Sequence, residues 1–166
     1  MINHDEWCTQ IKYLEDTDIL TRPNFDVNIR LLRCNSRYKT LIKLICEYVV
    51  FCAKTEKFGY AKPKGYSGAN AGIPFNIIAL ANGRYMINPE IINWSGQTKS
   101  IKTNCGSVLL KTPVFVKRDM KIDVKYYDID GKLMFWTDIG PNPGFTIQHE
   151  IQHTQGILIK NPSQRN

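Results

Sequence analysis

His149-Glu150-Ile151-Gln152-His153 spells H-E-x-x-H near the carboxyl end of the sequence. On an α-helix the two histidines stand one turn apart on one face, so both imidazoles can reach a single metal ion. Glu150 lies about 100° round the axis, next to such an ion without having to bind it. A carboxylate there can accept a proton from water whose acidity a cation has raised, which is the chemistry of metal-assisted hydrolysis. The plainer reading is a chance match on a surface helix. Against it, the sequence holds three histidines and two of them fall in the motif.

Two histidines do not hold a catalytic metal alone; a third ligand and an open position are needed. Metzincin-type proteases place another histidine six residues beyond the motif, but here that residue is Ile159. Thermolysin-type proteases place a glutamate on a later helix, and little sequence follows His153. The third ligand is therefore expected upstream. His4 reads as a surface residue. Cys105 is the candidate, in Thr103-Asn104-Cys105-Gly106-Ser107 between turn-forming residues and the apolar Val108-Leu109-Leu110. Cys46 and Cys52 lie on or near an apolar helix face and read as small buried hydrophobes. Cys8 and Cys34 have no partner spacing and no nearby base. Five cysteines with no C-x-x-C pair are not a disulfide framework, which suits a reducing cytosol.

Periodicity indicates the elements that must position these groups. Leu41, Ile42, Leu44, Ile45, Tyr48, Val49 and Cys52 recur at steps of three and four, predicting a helix over Ser36 to Lys57 capped by Asn35 or Ser36. Met1 to Arg33 reads as irregular. Gly59 to Gly72, with four glycines and a proline, reads as a loop. Strands are expected over Phe75 to Ala81, over Tyr85 to Ile92 with a terminating turn at Asn88-Pro89, over Val114 to Lys117 and over Ile122 to Tyr127. Asp130-Gly131 predicts a tight turn, with Leu133 to Thr137 returning as a hairpin arm. Pro141 and Pro143 suit a helix entry, so the H-E-x-x-H helix is expected from about Gly144 to Thr154 and to end at Gly156.

The sequence is 166 residues long, 43% hydrophobic and 22% charged, values that exclude collagen-like, low-complexity and wholly disordered chains. No apolar run approaches the roughly 18–20 residues of a membrane span, and the polar start lacks a signal-peptide core. One domain over residues 1–166 is expected, with residues 1–35 as an irregular N-terminal segment, in the cytoplasm and as a monomer. The net charge of +7 reads first as a solvated surface, and secondarily as a tendency to linger near polyanions such as ribosomes.

The run Gln148 to Leu158 closely resembles the third motif of the peptide deformylases, Q-H-E-x-D-H followed by L-x-G-x-L. Cys105-Gly106-Ser107 falls where their second motif, E-G-C-x-S, supplies a thiolate. Gly65-Tyr66-Ser67-Gly68-Ala69-Asn70-Ala71-Gly72-Ile73-Pro74 is similar to their first, G-x-G-x-A-A-x-Q. Ile87 to Ile92 and Tyr127 to Lys132 follow in the family's order, so the resemblance spans about residues 36–160. It implies an α+β fold of one domain, with mixed or antiparallel sheets around a central H-E-x-x-H helix and an N-terminal helix.

What the resemblance implies for function is removal of the formyl group from the initiating methionine of nascent peptides. Cys105, His149 and His153 would bind one divalent metal, Fe(II) in the native enzyme, with Zn(II), Ni(II) or Co(II) also accepted. Glu150 would act as base, then pass the proton to the departing amine. Asn70 and the Gly106 backbone N–H would bind the oxyanion. Gly65, Tyr66, Thr103, Phe145 and Thr146 would line the substrate site. The partners would be N-formylmethionyl peptides and the ribosome, through the basic surface. Asn70 replaces the family's glutamine, Pro63 an earlier glycine, Thr103-Asn104 its Glu-Gly, and Gln152 and Thr154 its Asp and Leu. The missing glutamate leaves Arg118 without the ion pair the family gives it. With ligands and base intact, the pattern reads as a divergent active enzyme. The alternatives are a zinc peptidase of another H-E-x-x-H family and a non-catalytic binding module keeping a structural metal.

Overall fold

The computed structural model describes residues 23–55, 64–103, 105 and 114–159. His4, Cys8, Pro63, Asn104, Gly106 and the run Ser107 to Leu110 lie outside them. Asn28 accepts a hydrogen bond from the Leu31 N–H and opens a short helix, α1 (Ile29–Cys34), in a stretch expected to be irregular. Asn35, extended at φ −122°, likewise accepts from Tyr38 N–H and starts α2 (Ser36–Lys54). Its end, with Thr55 as cap, falls three residues before the expected Lys57. One face of α2 buries Ile42, Cys46, Val49, Cys52 and Ala53, the face the apolar period predicted.

The expected loop through Gly72 is partly ordered: β1 (Gly65–Ser67) is followed by one 3-10 turn at Ala69–Ala71. Glycine content hid this strand. Then come β2 (Ile77–Leu80), β3 (Tyr85–Trp94), β4 (Thr98–Thr103), β5 (Val114–Asp119), β6 (Ile122–Tyr127) and β7 (Leu133–Ile139). β4 escapes the sequence reading because Thr-Lys-Ser-Ile-Lys-Thr carries one apolar residue. β1-β2-β3-β6-β7 form one antiparallel sheet, and β4-β5 a separate two-stranded ribbon.

Asn88-Pro89 does not end β3. Asn88 takes φ 48° and the β3–β6 register shifts between Ile87 and Glu90, so the strand bulges and continues. The Asn88 side chain explains the kink. Its Oδ1 accepts from Val27 N–H at 2.8 Å, and its Nδ2 donates to the Val27 carbonyl at 2.9 Å.

β2 is buried on both faces, and its alternation divides the core. Ile77 and Ala79 pack with Ile42, Cys46, Val49 and Ala53 of α2. Ile78 and Leu80 pack with Ile147 and Ile151 of the last helix, α3 (Pro141–Thr154). The sheet thus lies between two helices, and each fully buried isoleucine is worth roughly 1.5–3 kcal/mol. α3 begins three residues earlier than expected because Pro141 and Pro143 both fit its first turn, where a proline's missing N–H costs nothing. It stops just after His153 in a Schellman motif. Gly156, at φ 74°, donates to the His153 carbonyl and Ile157 N–H to that of Gln152.

Candidate metal centre

α3 presents the motif on the face turned into the protein. His153 is 1% exposed and Glu150 5%, while His149 is half-buried. Being i and i+4, the two imidazoles meet edge to face, Nε2 to Nε2 at 3.0 Å. Cys105 lies between β4 and β5, packed on Val114 and Ile159, and its Sγ is 3.2 Å from His153 Nε2. All three candidate ligand atoms lie within 4.8 Å of one another. Donors 2.0–2.3 Å from a tetrahedral ion are about 3.4–3.6 Å apart, so this separation suits one shared cation. The donor chemistry suits it too: a thiolate and two imidazoles are ligands for a divalent transition metal.

Electrostatics agrees. Burial, then the positive charge of Arg118, pulls His149 down to about 4, and burial leads a fall to about 3 for His153. Both rings are therefore neutral at pH 7, the form that binds metal. Burial pushes the Glu150 carboxyl up to about 8, with Arg118 opposing. Among the described residues, Glu150 Oε2 and His153 Nδ1 are buried with no hydrogen-bond partner, which leaves them open to an added ligand.

Two amides, Gln148 just before the motif and Gln152 within it, fix α3 against β5. Gln148 Oε1 accepts from Asp119 N–H at 3.0 Å, and its Nε2 donates to the Asp119 carbonyl at 2.9 Å. Gln152 Oε1 accepts from Arg118 Nη1 at 2.8 Å. Arg118, 5% exposed, thus has a neutral partner, and no carboxylate lies in ion-pair range of it among the described residues. The Gln152 partnership was not read from the sequence; its signal was the amide one turn along from Gln148.

On the other side β1 runs close to α3. A Cβ at Gly65 would meet Thr146 Cγ2 at 2.5 Å and Glu150 Cγ at 3.1 Å, so only glycine lets the strand approach the base this closely. Gly65, Thr146 and Glu150 are therefore brought together. Tyr66 donates its hydroxyl to the Asn70 carbonyl at 3.2 Å, and the Ser67 hydroxyl donates to Asn70 Oδ1. Ser67, fully buried, was not singled out from the sequence. Phe145 is half-buried one turn before His149, and Thr146 lines a recess of about 430 Å³ with Lys64, Asn82, Asn142 and Pro143. Thr103 ends β4, two residues before Cys105. Gly106 lies outside the described residues.

An α+β scaffold thus brings a Cys-His-His donor set beside a buried glutamate. Residues 46–166 match the profile of the polypeptide deformylase family, and the chain belongs to that family. It is 42% identical over 76 residues to the peptide deformylase of Polynucleobacter necessarius, a match covering 44% of this chain and 42% of that protein. It is 28% identical over 135 residues to that of Levilactobacillus brevis, covering 72% of each. The first match thus spans less than half of its relative's length. Among solved structures, the class I type b peptide deformylase from Acinetobacter baumannii superposes with a TM-score of 0.68 at 23% identity, over 86% of this chain and 91% of that one. That likeness supports the α+β fold.

Proposed function

We propose that this chain hydrolyses the N-formyl group from the initiator methionine of nascent polypeptides, releasing formate and a free amino terminus. Cys105, His149 and His153 would hold one divalent metal, Fe(II) in the native protein, with Zn(II), Ni(II) or Co(II) as substitutes. The observation that carries the reading is the convergence of those three donor atoms within 4.8 Å, beside the unpaired Glu150 Oε2. When bound, such an ion supplies Lewis acidity that polarises a carbonyl and acidifies water.

The protein's own groups do the rest. Glu150 accepts the proton of the water that attacks the formyl carbon and delivers it to the departing amine nitrogen. Burial raises the Glu150 carboxyl to about 8, and the positive charge of Arg118 opposes that rise. The Asn70 Nδ2 and the Gly106 N–H donate to the developing oxyanion, a contribution of roughly 2.7–4 kcal/mol per donor. Gly65, Tyr66, Thr103, Phe145 and Thr146 line the peptide's path. The protein acts in the cytoplasm as a monomer near the ribosome, its basic surface favouring that polyanion. No helix among the described residues is long and apolar enough to cross a membrane.

Formyl-Met-Ala-Ser and the anaerobically iron-loaded protein test the reading: formate should be released. Rapid internal cleavage of unformylated peptides would point instead to an H-E-x-x-H peptidase of another kind. Full metal occupancy without turnover would leave a binding module.

A further inference from the structure

We infer that the outward face of the β4–β5 ribbon is a docking surface for single-stranded RNA. The choice of RNA as polyanion rests on the nascent-chain reading above; the existence of the surface does not.

Register defines the face. Lys102 pairs with Phe115 and Ser100 with Lys117, so these four side chains share one side of the ribbon, and all four residues are exposed. The opposite side carries Val114, Val116 and Arg118, turned toward Cys105, Ile159 and Gln152. The ribbon is therefore two-faced: one side braces the metal centre, and the other shows solvent an aromatic ring between two ammonium groups. Phe115 is 68% exposed, and its burial would remove a large apolar area from water. Lys102 stands directly across from Phe115, where Cβ atoms are about 4.5–5.5 Å apart, and Lys117 follows two residues along the same strand, so both flank the ring closely.

The charge on this face is not neutralised locally. No Asp or Glu occurs between Glu90 and Asp119. The Asp119 carboxylate accepts from Ser95 Oγ at 3.2 Å and Gly96 N–H at 2.8 Å, which draws it toward the β3–β4 turn. Lys39, Lys43, Lys121 and Lys125 each face a carboxylate, whereas Lys102 and Lys117 face none among the described residues. An aromatic platform with unpaired cations beside it is the arrangement that holds single strands, a base stacking on the ring while phosphates meet the cations.

Fluorescence anisotropy with a labelled twelve-nucleotide uridine RNA tests the proposal. The full chain should bind with strong salt dependence. F115A should weaken binding about 5- to 100-fold with the salt slope kept. K102Q/K117Q should lower that slope by about 1.4, roughly 0.7 per lost phosphate contact. Formate release from formyl-Met-Ala-Ser should be unchanged in all variants, because none of the three residues belongs to the metal centre. RNA binding without any deformylation would keep the surface and reject the enzymatic reading; the reverse would reject the surface alone. Absent RNA binding at 50 mM salt, unchanged affinity in both variants, or a dependence on these residues seen only with phosphatidylserine vesicles would overturn the proposal.

Discussion

His153 is the pivot of the candidate centre, its Nε2 lying 3.0 Å from His149 Nε2 and 3.2 Å from Cys105 Sγ. Removing any one of the three leaves two donors, too few to hold a catalytic ion firmly. C105A, H149A and H153A should each lose bound metal, measured as metal per chain after gel filtration. Retention of wild-type metal in any of them would mean that residue is not a ligand. The other cysteines behave differently. Burial pushes Cys46 up to about 12, so its thiol stays protonated, and the thiolate is the reactive form. At pH 8 in the native protein, iodoacetamide should label the exposed Cys34 and spare Cys46. Labelling of Cys46 at the rate of Cys34 would contradict its place in the core.

At the scale of elements, α3 carries the reacting groups and its neighbours set their positions. At Gly65 β1 comes close against α3. Replacing this glycine with alanine should force Cβ into Thr146 Cγ2, an overpacking that costs about 1–3 kcal/mol, and should slow turnover by displacing Glu150. T146S removes that methyl, so G65A/T146S should recover much of the lost stability and rate. Equal defects in the single and double variants would place the strain elsewhere. The helices and central strands were legible because their apolar residues repeat with the period of the element. α1 was not, since six residues are too few to establish a period, and β1 and β4 were hidden by glycine and by alternating Thr, Ser and Lys. Cys105 was legible as a candidate donor only because the motif left one empty place that it suited. Gln152 and Ser67 were not, because an amide or a hydroxyl acquires its role from a partner distant in sequence.

Across the whole molecule, one sheet is packed on both sides: α2 covers one face and α3 the other. The candidate metal centre thus sits on a helix packed on the face of the sheet opposite to α2. Ile42, fully buried on α2, tests that packing. I42A should cost about 2–5 kcal/mol of unfolding free energy in urea, with metal binding unchanged under conditions where the variant remains folded. A cost below about 1 kcal/mol would show that α2 is not packed as described. The division of labour is also electrostatic. Arg118 reaches from β5 to the motif helix, while Lys102 and Lys117 face outward on the same ribbon, so a single two-stranded element joins the centre to the surface.

The most direct test compares E150A with the unaltered protein, both loaded anaerobically with Fe(II), by measuring metal per chain and formate released from formyl-Met-Ala-Ser. Holding the ion and moving the proton are assigned to different side chains. The variant should therefore keep one ion per chain and lose formate release by several orders of magnitude. A variant that turned over at the original rate, or that lost its metal as fully as H153A, would contradict that assignment.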